Sequence, residues 1–497
     1  MRTTLKFLLA LFITLNCSCT GKHLVSNKEY LKLIEKSFSE RKQLAANREA
    51  ALFRVFDRKL SIKQTEALKF LFAFMPLSDL ADYNGDFFLA NINMSLRTKE
   101  ETPWGKDIPE EIFLHYILPC RVNNENLDSF RIVYYNEIMN RVKEKDILNA
   151  ALEINHWCHE KVSYQPADIR TSAPMSTILS ARGRCGEEST FTVAALRTAG
   201  IPARQVYTPR WAHSDDNHAW VEIWINGEWY YMGACEPEPV LDRGWFTEPA
   251  RRAMLVHTKS FGAFWGNEKI INKHNNFTEV NNLAKYAVTK KIFVKVFDNK
   301  GVPLNDAKVE YQLYNYAEFY PLALVPTNEN GISQFETGLG DLLIWAYKGD
   351  DFDYKKISVI ETDTLVLRLN RKTEGNYNFD LDLDVPVTRT PLPVPPTEMT
   401  AINTKRINDE NILRQKYINS WMKPEEAKTL ALKLDMDTAK MMNIFVRSMG
   451  NYNEIRSFLY SIPDSLKDLA VSMLEIIPDK DIRDMKGYIL SDHLKNS

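Results

Sequence analysis

Residues 218–232 read HAWVEIWINGEWYYM, and they leave the chain little choice. His218, Trp220, Glu222 and Trp224 alternate with Ala219, Val221, Ile223 and Ile225, the period-two pattern of a strand with two distinct faces. Asn226-Gly227 then supplies the two positive-φ positions of a type I′ turn, the strongest short hairpin signal. A two-residue loop sets the register, so Ile225 faces Glu228, and counting back puts Trp220 opposite Gly233 and His218 opposite Cys235. Residue 233 therefore lies on the His218 face, where a carboxylate would accept the imidazole N–H and fix its tautomer. Upstream, EESTFTVAALRTAG carries Phe191, Ala194, Ala195 and Leu196 at helical spacing and stops at Gly200 before Ile201-Pro202, the glycine-then-proline end of a helix. Cys185 falls at the start of that helix, where unpaired N–H groups and the positive dipole end favour a thiolate. Taken alone, such a cysteine is more often a small buried apolar residue.

Three pieces taken together, GRCGEES around Cys185, the spacer GIPARQV, and NHAWVEIWINGEWYYMGA, resemble the transglutaminase-like superfamily, relatives of the papain-fold cysteine enzymes. The resemblance spans roughly residues 150–265. It implies Cys185 as nucleophile and His218 as general base, with no cofactor and no metal. One position departs: where the family places Asp, four residues after the Trp of the return strand, this chain has Gly233. Glu236 in CEPEP is the first substitute, since a turn at Pro237 brings it round. Glu222, Asp242, and a dyad completed by backbone or water are the alternatives. Tyr207, Trp211 and Trp220 are expected to line the substrate cleft, and Trp245, Phe246, Phe261, Phe264 and Trp265 to close the core. Asp215 and Asp216 either raise the His218 pKa, favouring a thiolate–imidazolium pair, or form a solvated loop. A zinc site from Cys185, His218, Cys235 and His213 or His257 lacks any close CxxC or HxxxH spacing.

A formal charge of −2 without a basic stripe argues against a nucleic-acid partner, since phosphate contacts need clustered Lys and Arg. Hydrophobic content of 44 % supports folded cores. At the N-terminus Arg2 and Lys6 precede FLLALFITL and then NCSC, a segment too short to span a bilayer and matching a signal-peptide core. A cysteine directly after that core resembles a bacterial lipoprotein signal over residues 1–19, with lipidation at Cys17 or Cys19. The expected location is the cell envelope, exported and lipid-anchored, and the expected partner is a peptide or protein substrate. The remaining cysteines, Cys120, Cys158, Cys185 and Cys235, are too widely spaced for a disulfide scaffold.

The fold class is multidomain α+β. Residues 27–150 carry apolar residues at three and four spacing and read as a helical N-terminal region. His156, Trp157 and His159, in DILNAALEINHWCHEKVSY, read as a helix–core boundary. Residues 151–270 form the transglutaminase-like, papain-fold core. Between 286 and 372, short alternating runs broken by turn clusters indicate a β-sandwich of about seven strands. Its GVPLNDAKVEY stretch resembles the carboxypeptidase-regulatory-like sandwiches, and a spacer role is expected. VPVTRTPLPVPP marks residues 373–400 as a polyproline-type linker, and 401–497 are helical, punctuated by Pro424, Gly450, Pro463 and Pro478.

Overall fold

The computed structural model describes residues 23–168, 170–370, 381–388, 392 and 394–496. Cys17, Cys19 and the signal segment lie outside the described residues. The N-terminal half is built on helices α1 (Lys28–Leu44), α2 (Ile62–Phe74), α3 (Gly85–Glu101), α4 (Phe130–Val142), α5 (Ile147–Lys161) and α6 (Cys185–Thr198). Their starts are written locally. The Asn27 side chain accepts from the N–H groups of Glu29 and Tyr30, Ser61 and Gln64 form a capping box, and Asp146 accepts from Asn149. Each satisfies donors that a helix leaves unpaired at its N-terminus.

Against these helices lies an antiparallel six-stranded sheet: β1 (Ala203–Thr208), β2 (His218–Ile225), β3 (Glu228–Met232), β4 (His257–Phe261), β5 (Lys269–Lys273) and β6 (Phe277–Asn281), in the order β3-β2-β1-β4-β6-β5. The sheet runs to Asn281 and so past residue 270, where the sequence reading closes the core. A single hydrophobic cluster extends from Leu24 to Val280 and includes Phe70, Phe113, Trp157, Phe191, Val221 and Ile223. The N-terminal helices are therefore not a separate body; they share one interior with the sheet. Helix α6 is central to that interior and buried along nearly its whole length.

The hairpin register follows from its turn: Ile225 pairs with Glu228 and Val221 with Met232, with Asn226 at φ 51° and Gly227 at φ 104°. The ladder ends at Met232. Gly233 then bridges to Glu236, and Cys235 sits at φ 55° in that tight turn, so the extrapolated pairing of His218 with Cys235 is not made.

The second body is a sandwich of β7 (Thr289–Phe297), β8 (Lys308–Asn315), β9 (Glu318–Pro326), β10 (Ile332–Gly338), β11 (Asp341–Lys348), β12 (Asp351–Ser358) and β13 (Thr364–Arg368). One sheet runs β9-β8-β11-β12 and the other β10-β7-β13, with Ile292, Val294, Tyr311, Ile344 and Leu367 buried between them. Strand β9 has no counterpart in the runs picked out from sequence because it contains Pro321. Its edge position is what makes the missing N–H tolerable. Beyond the sandwich, Asp384 is held to it: Asp341 N–H donates to the Asp384 carbonyl at 2.8 Å, and Asp384 N–H to the Asp341 carboxylate at 3.1 Å.

Helix α7 (Thr397–Ile418) begins inside the stretch read as linker, and α8 (Pro424–Leu434), α9 (Thr438–Ser448), α10 (Tyr452–Ser461), α11 (Lys467–Ile476), α12 (Asp479–Ile482) and α13 (Gly487–Lys495) follow. They enclose their own core of Leu430, Met441, Phe445, Phe458 and Leu474. The array docks on the N-terminal half. Glu410 on α7 lies between His156 and His159 of α5, 2.8 Å from each, and Arg406 pairs with Glu153 at 2.7 Å. Spacing i, i+3 on one helix puts both histidines on one face, where one carboxylate meets both. Among the described residues, no helix is long and apolar enough to cross a membrane.

Candidate active site

Cys185 is the first residue of α6 and half-buried. Its thiol sulfur receives a hydrogen bond from the backbone N–H of Ala219, at the start of β2. The turn below it is tightly bound. Glu187 Oε2 accepts the Arg184 N–H at 3.0 Å, Ser189 Oγ donates to the Cys185 carbonyl at 2.5 Å, and Gln205 Nε2 donates to Ser189 Oγ at 2.7 Å. Burial pushes the thiol above its ordinary pKa; the Ala219 N–H and the Arg184 charge work the other way, while Glu188 and Asp216 add to the rise.

His218 is the first residue of β2 and is enclosed by aromatic rings: Trp245 at 4.6 Å between centroids, Phe246 at 5.0 Å, Trp220 at 5.7 Å and Trp211 at 6.5 Å. Burial in this box lowers its pKa to about 3. A lowered His218 and a raised Cys185 favour a neutral imidazole and a neutral thiol; of the two alternatives for Asp215 and Asp216, the exposed loop is the one observed. Asp215 accepts the Tyr316 N–H of the sandwich at 2.8 Å, and Asp216 the Asn217 N–H at 2.8 Å. Nε2 of His218 is buried and has no hydrogen-bond partner among the described residues.

Glu236 stands where the absent side chain of residue 233 would go. A Cβ placed on Gly233 would lie 2.9 Å from Glu236 Cβ and 2.9 Å from its Oε2. The carboxylate accepts a hydrogen bond from Trp245 Nε1, at 3.2 and 3.1 Å to its two oxygens. Glu236 is thereby tied to the ring that packs on His218, and no bond from it to the imidazole is formed. Burial raises its pKa to about 7. Glu188, on the next turn of α6 from the nucleophile, is a neighbouring buried carboxyl whose pKa is raised well above its ordinary value by burial and then by Cys235 and Glu236. It escapes sequence reading because it sits inside the GRCGEES motif without a separate pattern of its own.

The other candidates separate into structural and open positions. Glu222 is fully buried and pairs with Arg204 at 2.7 Å while accepting from the Tyr286 hydroxyl at 2.6 Å, and Asp242 accepts the Tyr231 N–H at 2.8 Å. Neither faces His218 as an orienter. Trp220 is 0 % exposed and donates to the Tyr286 hydroxyl at 2.9 Å, and Trp211 is 3 % exposed. Both wall the histidine box, because the Trp220 face of β2 is covered by Phe246 and Tyr286; they do not line an open cleft. Tyr207 is half-buried and close enough to Cys185 for the two to interact electrostatically. The exposed aromatics at the site are Trp245, 59 % exposed over His218, and Tyr164, 55 % exposed and interacting with Cys185. The sequence reading expects both Trp245 and Phe246 to close the core; only Phe246 fills that role. Cys235 is turned away from His218 toward Thr192, 3.6 Å from its hydroxyl. Among the described residues no group of three or more His, Cys, Asp or Glu is placed to hold a metal ion.

The sandwich also reaches this region. Asn315 Nδ2 donates to the carbonyls of Trp211 at 2.9 Å and Ser214 at 2.7 Å, and Arg210 stacks on Tyr320 at 4.1 Å. The loop leading into His218 is held by the β8–β9 hairpin, which is more than a spacer does.

A thiol on the first turn of a buried helix, set against a strand that begins with a buried histidine, defines the papain-like class of cysteine enzyme cores. Within that class, residues 136–234 match the transglutaminase-like superfamily, and the chain carries a transglutaminase-like domain. The superfamily is one of cysteine-dependent enzymes. No curated protein sequence matches the chain significantly. Among solved structures, one described as a "putative cysteine protease" from Cytophaga hutchinsonii is 19 % identical, covering 38 % of this chain and 68 % of that one at a TM-score of 0.23. A streptococcal ancillary pilin is 7 % identical over 34 % of this chain and 60 % of its own, at a TM-score of 0.14. At these TM-scores neither likeness extends to substrate or mechanism.

Proposed function

We propose that the protein performs thiol-dependent acyl transfer on peptide amide bonds, with hydrolysis as the outcome. The observation that carries this is the placement of the Cys185 thiol, on the first turn of α6, against the N–H of Ala219, the residue next to His218 at the start of β2. Neutral imidazole is the form able to take a proton. On this reading the Cys185 proton passes to His218 as sulfur bonds to the amide carbonyl carbon. N–H groups at the start of α6 stabilise the oxyanion. The C–N bond then breaks, the imidazolium returns the proton to the leaving amine, and water releases the acid from the thioester. Glu236 and Trp245 support the imidazole from the far side, and Tyr207, Tyr164 and Trp245 flank the substrate. The substrate is a peptide or protein. The protein itself is exported and lipid-anchored through Cys17 or Cys19, a reading that palmitate labelling of the two Cys→Ala variants tests.

The test is incubation with a proteome-derived peptide mixture and a biotinylated primary amine. New N-termini that vanish in Cys185→Ser and His218→Ala are the expected result. Amine incorporation in place of new N-termini would redirect the proposal to cross-linking. No product of either kind would leave the second reading, a binding protein on an inactive fold, which the unpartnered Nε2 of His218 favours.

A further inference from the structure

The C-terminal helices dock on α5 and on the turn at Pro237, and the Lys480 side chain reaches the first turn of the nucleophile helix. Lys480, on α12, is 6 % exposed. Its ammonium has three protons and four acceptors: Glu187 Oε1 at 2.8 Å, the Asp168 carbonyl at 2.9 Å, the Asp168 carboxylate at 3.0 Å, and the Arg170 carbonyl. Glu187 is 2 % exposed. Its other oxygen accepts the N–H of Arg184, the residue just before Cys185, at 3.0 Å, and its Oε1 also takes the Ser172 N–H at 3.4 Å. One buried ion pair therefore joins residues 293 positions apart and ties three pieces together: the cap of α6, the backbone at Asp168, Arg170 and Ser172, and the C-terminal array. Glu187 Oε2 also lies 3.5 Å from Nε of the Arg184 guanidinium, and a cavity of about 190 Å³ borders Glu187, Lys480, Asp168, Arg182 and Arg483, so Glu187 has space to turn once its nearer cation, Lys480, is gone.

Resting on the acyl-transfer reading above, we propose that Lys480 is a positioning residue for Cys185, acting through Glu187, and that the C-terminal array must be docked for the site to work. A buried carboxylate stripped of its nearer cation neutralises or turns, here toward the Arg184 guanidinium that remains 3.5 Å away. In Lys480→Met, Glu187 does one or the other, the Arg184 N–H loses its charged acceptor, and the first turn of α6 loosens. Cys185 then gains solvent while losing its geometry, which moves two readouts in opposite directions. Turnover falls, through kcat rather than KM, because substrate contacts are untouched. Alkylation speeds up, because a thiol held above its ordinary value by burial relaxes downward. A fall of about one unit gives about tenfold more thiolate near neutral pH.

The experiment uses the full chain as wild type, Lys480→Met, Glu187→Gln and the double variant. Iodoacetamide modification of the Cys185 peptide is followed by mass spectrometry across pH, alongside thermal unfolding and amide turnover. The expected result is a pH profile for Cys185 displaced downward by about one unit in Lys480→Met, with little further change in the double variant. An unchanged Cys185 profile, even with a lowered melting temperature, would show a merely structural contact and overturn the proposal. If Lys480→Met does not fold, Glu187→Gln breaks the same pair from the other end while keeping an acceptor for Arg184, and must shift the profile in the same direction by less. Absence of turnover in wild type would refute the acyl-transfer reading alone, since the alkylation profile still decides the role of Lys480.

Discussion

Restoring a carboxylate at position 233 tests whether Glu236 has taken its place. In Gly233→Asp the new Cβ would stand 2.9 Å from Glu236 Cβ, 2.9 Å from Glu236 Oε2 and 3.1 Å from the Glu236 carbonyl oxygen. The carboxylate end of Glu236 can swing away, but its Cβ and backbone cannot without moving the turn. Overpacking of this kind costs about 1–3 kcal/mol. A second carboxylate beside one already raised to about 7 by burial adds like-charge repulsion, felt once both are ionised. With about 2 kcal/mol as the central value, and about 2–4 °C per kcal/mol for a core of this size, melting falls by about 4–8 °C. The loss is larger at pH 8 than at pH 5. Adding Glu236→Ala to Gly233→Asp removes the Oε2 contact and the like charge but leaves the Cβ and carbonyl contacts at 2.9 and 3.1 Å, so the pH-dependent part of the loss returns and much of the remainder does not. Tryptophan-fluorescence melts of both single variants and the double close a thermodynamic cycle. Coupling no greater than about 0.5 kcal/mol, the level expected of independent sites, together with a wild-type melt for Gly233→Asp, would mean that Glu236 does not occupy that space.

Glu236→Gln should flatten part of the pH dependence of stability. Burial raises this carboxyl to about 7, so its ionisation opposes folding: stability declines as pH rises from the ordinary value of about 4.3 to about 7 and is level beyond. The variant should match wild type near pH 4 and have the higher urea midpoint at pH 8; an equal offset at both would contradict the cause. Glu410 behaves in the opposite sense. Burial alone would lift it, but hydrogen bonds from His156 and His159 bring it down to about 2, so its contribution is complete above about 4.3 and lost as pH falls toward 2. Glu410→Gln should remove that acid limb and leave α7 more open to limited proteolysis; an unchanged digestion rate would count against the contact. Arg204→Met strands Glu222 in the core beneath His218 and should cost about 3–5 kcal/mol, read from urea unfolding, with Glu222→Gln restoring much of it. Recovery absent from the double variant would place the loss in the Glu268 pair of Arg204, at 2.8 Å, or in its Trp229 stacking, at 3.7 Å, instead of the Glu222 pair.

The parts of this fold that were legible in sequence are those set by local chemistry. Asn226-Gly227 fixed a register because positive φ leaves one hairpin geometry, and the stop at Gly200 fixed the end of α6. The extrapolation failed one residue beyond the ladder: the bridge between Gly233 and Glu236 turns Cys235 inward, and no pattern of alternation reports where a ladder stops. Trp220 and Trp245 exchanged the roles expected of them for a related reason. Alternation assigns a residue to a face but does not say what covers that face, and Phe246 with Tyr286 covers the one Trp220 is on. The Glu410 clasp on His156 and His159 joins residues about 250 positions apart, a separation over which periodicity carries no information.

The two members of the candidate pair are held through different contacts. Cys185 depends on a cap that reaches Glu187 and then Lys480 in the C-terminal array. His218 follows a loop whose carbonyls at Trp211 and Ser214 are fixed by Asn315, and whose Asp215 is fixed by the Tyr316 N–H, all in the sandwich. The sandwich therefore bears on the loop before His218, and the C-terminal array on the cap of Cys185 and, through Asn403 to the Pro237 carbonyl at 2.9 Å, on the turn beside Glu236. Effective acyl transfer needs thiol and imidazole within hydrogen-bond reach in the substrate complex, and a shift of about 1 Å is enough to cost orders of magnitude in rate. Removing either region should thus lower turnover even where the core of α6 and β2 stays folded. Asn315→Ala tests the histidine side alone: it deletes two hydrogen bonds to the loop, leaves Cys185 and its cap untouched, and should reduce turnover without moving the Cys185 alkylation profile. A profile that moves with turnover would mean that the loop and the nucleophile helix are not positioned independently.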